Sequence, residues 1–453
     1  MTGNRCRCVS SALGTLMLAA SYLLAGLGSP ATLAAEVDGF LPTQLDYGYG
    51  PEEEESMQLQ LQASPELRWD FGTAWRAVTT LRLRVDGEDR LEPGKPALDN
   101  YAPASKPLRL GTAGLLELRD VYLERTSSAA TWRIGKQQIV WGRLDGIKIL
   151  DVLNPQDFRE FILDDFGASR IGLWSAYLDT SMSGWRTELA LIPDGTAHAI
   201  PEPGAWFELR APRFRFGADP ATPGLPVTTE APGHDVSSWG AGVRLSRRLG
   251  DVDFSLVGYS GIDPELLGRL ACPGPANSCN GAFSVQGFFE RREVFGFSAE
   301  TGFGAWVGRL EYGYQPGRHF NTRRGAVLDT ASLNQHRAAV ALDVIGPWDV
   351  FVNLQLVLDH VSQAPETLVR PAEDRIGTVY LRKSFYYDTV KLEARWYHSF
   401  SDGDDHVSLS VAYALSGDTE FHLSADTFSG TEDGLFGQFR DRDRLVLGVR
   451  HGF

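Results

Sequence analysis

Residues 73–87 read TAWRAVTTLRLRVDG. Alternate positions separate into two sets. Trp75, Ala77, Thr79, Leu81, Leu83 and Val85 share one face, and Arg76, Arg82, Arg84 and Asp86 share the other. A period of two marks a strand with two unlike faces. Its length adds a second signal. Strands of soluble sheets average about five or six residues, whereas a tilted strand crossing a bilayer needs ~9–11.

The pattern recurs along the chain. In VKLEARWYHSF (390–400), Val390, Leu392, Ala394 and Trp396 oppose Lys391, Glu393, Arg395 and Tyr397. MQLQLQASPELRW (57–69) and WDVFVNLQLVLD (348–359) alternate in the same way. Short connections fall at 70–73, 126–130, 180–184, 248–251, 301–304, 345–348, 385–388 and 416–419. Between them lie long ones, at 87–114, 140–167, 194–236, 261–291, 315–333, 361–374 and 429–443; a short one at 401–405 is the exception. Short turns at one end and long loops at the other are the layout of membrane barrels. GFLPTQLDYGY (39–49) supplies the first strand. The expectation is an all-β, transmembrane, antiparallel up-and-down β-barrel of about 18 strands, with 16 as the alternative count. Closure removes the sheet edges that long two-faced strands would otherwise expose.

Residues 1–35 read as an export signal: Arg5 and Arg7, the apolar run Leu16 to Leu27, then small residues before Glu36. Residues 36–453 are left as one barrel domain. The net charge of −15 argues against a nucleic-acid partner. Cys272 and Cys279 are the cysteines beyond the leader, and in an exported chain they are expected to form a small disulfide loop. No metal or cofactor motif is present.

The chain closes on RLVLGVRHGF (444–453). Phe453, Val449, Leu447 and Leu445 resemble the terminal signal read by the outer-membrane assembly machinery. His451 stands where that signal usually has an apolar residue. A second stretch, RIGKQQIVWGRLDGIKILDVLNPQDFREFILDDFGASRIGLW (133–174), resembles a family of proteobacterial outer-membrane barrels of unassigned function, similar to alginate-export and substrate-specific porins. Some of that family are encoded beside inner-membrane exporters of the resistance-nodulation-division type. The resemblance implies a channel or transport accessory in contact with outer-membrane lipid and lipopolysaccharide, and an exporter as a partner.

Within this stretch Asn154-Pro155 reads as a helix start. Phe158, Phe161, Ile162 and Phe166 recur at helical spacing. Asp151, Asn154, Asp157, Glu160, Asp164 and Asp165 are the candidate polar residues of a loop folded inward as a constriction. The other reading is a helix on the rim.

The polar strand faces give the lumen. Its candidate basic residues are Arg76, Arg82, Arg84, Arg133, Arg309, Arg382, Lys391 and Arg395, with Arg76, Arg82 and Arg84 the first place to expect an anion site. A nearly equal number of acids suggests instead a paired network. His406 and Ser408 have the spacing of an outer-membrane phospholipase pair but lie on the lumen parity, so no enzyme activity is expected. Acidic patches at Glu52–Glu55 and at Asp402, Asp404 and Asp405 leave open surface cation binding or plain solvated charge. The expected function is passage of a small molecule or exported product. A plugged partner of an export complex and an outer-membrane hydrolase are the alternatives.

Overall fold

The computed structural model describes residues 35–51, 55–94, 99–220, 225, 227–232, 235–271 and 284–452. The export signal, Cys272, Cys279, Phe453 and Glu52–Glu54 lie outside the described residues, except for Ala35.

One sheet of 21 strands dominates. Ala35–Phe40 continues into Thr43–Gly50 across Pro42, Glu55–Ala63 continues into Glu66–Phe71 across Pro65, and Leu108–Leu110 is a short appendage, which leaves eighteen staves. They are β1 (Thr43–Gly50), β2 (Glu55–Ala63), β3 (Trp75–Asp86), β4 (Gly114–Thr126), β5 (Ala130–Gln137), β6 (Leu173–Met182), β7 (Trp185–Ile192), β8 (Gly240–Leu249), β9 (Val252–Ile262), β10 (Arg291–Phe303), β11 (Trp306–Arg324), β12 (Val327–Ile345), β13 (Phe351–Ser362), β14 (Glu373–Phe385), β15 (Val390–Ser399), β16 (Asp404–Ala414), β17 (Thr419–Ser429) and β18 (Arg444–His451). Each pairs antiparallel with its neighbour. β18 then pairs with β1, from Thr43↔His451 to Tyr49↔Leu445, and the barrel is closed.

The two parities part as the alternation predicts. Leu445 and Leu447 on β18, Leu354 and Leu356 on β13, and Phe421 and Leu423 on β17 are exposed on the outer face. Arg444 and Val446 on β18 and Asn353 and Gln355 on β13 are buried on the inner one. A continuous exposed apolar band fits hydrocarbon, not water. Trp69, Trp75, Trp132 and Trp396 stand exposed near strand ends, where interface girdles sit. Among the described residues no helix is long and apolar enough to cross a membrane.

Two expectations are overturned. The 315–333 segment is not a loop. β11 and β12 run on as a hairpin to Arg324↔Val327, with a bulge between Gln315 and Arg318. One face of the extension is covered by loops, with Phe320 and Leu328 buried, and neither face meets hydrocarbon, so no strict apolar parity is imposed and its strand character is hidden in the sequence. The helix starting at Asn154-Pro155 does not form. Asn154 caps nothing: its Oδ1 accepts the Ile139 N–H at 2.8 Å and its Nδ2 donates to the Ile171 carbonyl at 2.8 Å, clasping the two ends of an irregular loop.

Candidate functional site

The loop between β5 and β6 enters the barrel and crosses it. Its first part packs on the wall: Trp141, Ile149 and Leu150 are fully enclosed with Tyr177, Ala190, Val257, Ala339, Ala341 and Val357. Small wall residues make this possible. A Cβ on Gly242 would stand 2.7 Å from the Trp141 ring, and one on Gly296 2.5 Å from the Leu150 side chain. Glu311 on β11, completely buried, accepts the backbone N–H of Leu150 at 3.0 Å and also that of Arg143. On the same wall Gln355 donates to the Asp145 carbonyl and Arg309 reaches Asp145 at 3.4 Å, and further round Gly146 lies against the Tyr397 hydroxyl.

The second part turns to the opposite wall. Arg82 and Arg84 of β3, each 2% exposed, hold Asp164 at 2.9 and 2.8 Å. Arg159 pairs with Asp157 and Glu117 at 2.5 Å and with Glu92 at 3.0 Å. Arg170 pairs with Asp151 at 2.6 Å. On β4 the register slips between Thr80↔Asp120 and Leu81↔Leu118, which leaves Arg119 as a bulged residue. The bulge aims its guanidinium at the loop, where it donates to the carbonyls of Ala168 (2.6 Å) and Arg170 (2.5 Å). Glu160 comes within 3.9 Å of Arg444, whose guanidinium also bonds Asp426 at 2.8 Å and Gln58 at 3.4 Å.

These contacts place the candidate constriction residues inside the barrel, and they place two of the three favoured basic residues in ion pairs with the loop. Arg76 is elsewhere, paired with Asp70 at 2.7 Å near a short turn. Arg133 stacks on Tyr177 at 4.3 Å, Lys391 pairs with Glu420 at 3.2 Å, and Arg395 with Glu393 at 3.0 Å. Arg382 lies over the Phe351 ring at 5.2 Å. Asp165 is exposed on the loop.

Burial acts against the charge of Asp157 and Asp164, but the arginines win, and both carboxyls are held below their ordinary value. Burial raises Glu160. Lys148 has no carboxylate in contact among the described residues. Its Nζ donates to Gln156, to Ser169 Oγ at 2.9 Å and to the Phe166 carbonyl at 3.4 Å, and it sits over the Phe166 ring at 4.4 Å. Burial, aided by Arg170, pushes it down to about 7.

Two further loops cover the long-loop mouth. Arg213 clamps the segment after β7 to Asp374 at 3.2 Å and Asp402 at 2.9 Å. Phe161, Trp206, Phe207, Phe428, Phe436 and Phe439 form one aromatic cluster where the three loops meet. Asp404 is buried and accepts the N–H groups of Phe436 and Gly437, while Asp405 holds His398 at 2.8 Å. The carboxylates of this patch are therefore occupied by protein groups, and none of the described residues form a cluster of three or more metal-ligating side chains. His406 is enclosed between Phe428 and Tyr397 and pairs with Asp426 at 3.3 Å.

What stays open is a cavity of about 1770 Å³ between the inward loop and the β13–β15 wall. Its lining runs from Leu225, Val227 and Leu435 among the long loops to Phe351 and Arg382 toward the short turns. Strands rise ~3.3 Å per residue, so Asp374 and Arg382 on β14, both in the lining, are ~26 Å apart along the strand. At the ~35–45° tilt of barrel strands this is ~20 Å of height, most of the ~25 Å apolar band. Sequence reasoning missed the cavity's Arg292, Arg318 and Arg370, because parity shows which way a residue points and not which loops cover it.

Residues 106–453 match the family described as "Protein of unknown function (DUF1302)". The chain belongs to this family. The match takes in every stave from β4 to β18 and the whole inward loop of this DUF1302 member. No curated protein matches the sequence. Among solved structures the chain is similar to OpdK of Pseudomonas aeruginosa, an outer membrane protein, with 10% identity, 92% of this chain and 99% of that chain covered, and a TM-score of 0.47. It is similar to OccK2 (OpdF) of the same organism, solved with glucuronate, at 10% identity, 92% and 96% coverage and a TM-score of 0.48. It is also similar to the outer membrane protein OmpT of Vibrio cholerae, at 9% identity, 93% and 100% coverage and a TM-score of 0.42.

Proposed function

We propose that the chain is an outer-membrane channel, working alone or as the outer part of an export system, that passes a small molecule along the β13–β15 wall past the inward loop. One observation carries this reading: the cavity extends from residues of the long loops to Arg382 near the short-turn end. Short turns face the periplasm in such barrels and long loops the exterior. Its walls mix guanidinium, carboxylate and aromatic groups, which suits a polar or amphipathic solute better than a bare ion. Contacts with lipopolysaccharide, with the assembly machinery and with an inner-membrane exporter belong to the same proposal.

The second reading is a plugged structural partner, favoured by the aromatic cluster across the mouth. Planar-bilayer recording separates the two. A channel gives discrete conductance steps, and removing residues 145–148, the part of the loop nearest β13 and β15, enlarges them. A folded barrel with no steps, and none after that deletion, supports the plug and ends the channel reading.

A further inference from the structure

The cavity holds a second arginine cluster, of which only Arg292 bonds the inward loop. Arg292 on β10, Arg318 on β11, Arg337 on β12 and Arg370 before β14 all line it. Most of their charge is matched. Arg318 lies 2.6 Å from Asp263 and also pairs with Glu265. Arg370 lies 3.2 Å from Asp359 and 2.8 Å from Asp374. Arg292 lies 3.5 Å from Asp263 and donates to the Val152 carbonyl at 2.9 Å.

Arg337 is the one left over. Its sole carboxylate among the described residues is Asp359 at 3.3 Å, and the geometry there is too poor for a hydrogen bond. Asp359 already accepts Gln335 through both oxygens, at 2.7 and 2.8 Å, besides its pair with Arg370. The Nε groups of Arg337, Arg292 and Arg370 are all buried without an acceptor among the described residues. Those three nitrogens are enclosed and out of a ligand's reach. Of the four arginines Arg337 keeps the most of its side chain open, 24% against 17% for Arg370, 9% for Arg292 and 7% for Arg318, and with its poor carboxylate partner its guanidinium is the place for an acceptor. A guanidinium fork matches a carboxylate in shape and charge. Apolar groups, Phe158, Leu266, Val285, Phe289 and Val357, line the same cavity. An ion alone would leave these without a partner.

We propose that Arg337, flanked by Arg292, Arg318 and Arg370, binds the carboxylate of an amphipathic acid whose apolar body lies along the Phe158, Phe289 and Val357 side of the cavity. This deepens the channel reading and rests on it for the route by which the acid arrives.

The test uses the full chain, purified and folded in detergent, with octanoate, octanamide and inorganic phosphate as probes in titration calorimetry. Octanoate is expected to bind at least tenfold more tightly than either of the others. Arg337→Gln should weaken octanoate at least tenfold, Arg337→Lys should recover only part of the loss, and Arg186→Gln, at the short-turn end, should stay within twofold of the parent. Equal binding of octanamide would reduce the site to an apolar pocket, and equal binding of phosphate to a bare oxyanion site. Either result overturns the proposal, as does an Arg337→Gln barrel that binds octanoate unchanged. Heat-modifiable gel migration reports whether a variant is folded. Should Arg337→Gln not fold, the three probes on the parent chain decide. Conductance steps without octanoate binding would sink this site and spare the channel; octanoate binding to a barrel that never conducts would do the reverse.

Discussion

Asp164→Asn is the most direct perturbation of the inward loop. The substitution keeps the shape and removes one charge. It leaves Arg82 and Arg84, both buried, facing an amide where they now meet a carboxylate at 2.9 and 2.8 Å. At an effective dielectric near 20, a unit pair about 4 Å apart is worth about 4 kcal/mol, so two pairs give ~8 kcal/mol before desolvation is counted. Desolvation offsets much of it, and removing one partner of a buried pair costs about 3–5 kcal/mol. Glu160 at 3.7 Å and Asp157 at 3.8 Å remain beside Arg84, which argues for the lower end. A loss of ~3 kcal/mol shifts the balance between seated and released loop by roughly 150-fold toward release. Trypsin would then reach Lys148 and Arg159 in the folded barrel, and single-channel records would show larger and noisier steps. A folded Asp164→Asn barrel with unchanged cleavage and unchanged conductance would refute the idea that these pairs hold the loop.

Other outcomes follow from the same geometry. Gly242→Val drives a side chain into the Trp141 ring and is expected to destabilise the barrel by ~1–3 kcal/mol, read from urea unfolding followed by gel migration. Lys148 is charged in both the seated and the released loop below pH 7 and is neutral in the seated loop alone between about 7 and its ordinary 10.5, so seating should strengthen as pH rises across that window. Protease protection measured from pH 6 to pH 10 checks this, and Lys148→Met should flatten the profile. Asp157 and Asp164 are depressed below 3.8, so their contribution to seating is complete above that pH and is lost as acid protonates them; release is expected only below pH 4. Arg213→Gln frees the mouth segment from Asp374 and Asp402, a nearly buried pair, so it should cost about 3–5 kcal/mol in the seating of that segment and speed the entry of a small solute in liposome-swelling assays.

The strands were legible because hydrocarbon outside and water or protein inside force a strict parity on every stave. That single rule identified Leu445 and Leu447 as outward and β1 as the partner of β18. It failed where the rule does not apply. The ends of β11 and β12 stand clear of the membrane, and their alternation disappears. In the inward loop the apolar residues do recur at three and four, yet they do not share a face. Phe158 packs edge-on to His198, Phe161 joins Phe436 and Phe439 with its backbone in the left-handed region (φ 52°), and Phe166 lies under Lys148 and Arg170. Three different partners in three directions produced a helical spacing with no helix. Arg82 and Arg84 are buried on the inner face, and that they are spent on Asp164 depends on a loop some eighty residues away in sequence, about which local pattern is silent.

Arg444 stands on the last stave and touches Asp426 on β17, Gln58 on β2 and Glu160 on the inward loop. Its contact with Gln58 reaches past β1, so it bridges the seam where the two ends of the chain meet. Seating the loop and zipping the seam are thus coupled steps: each completed one makes the other more favourable, by the same amount in either direction. Loop and wall share one guanidinium at the seam, and a change on either side is felt by the other.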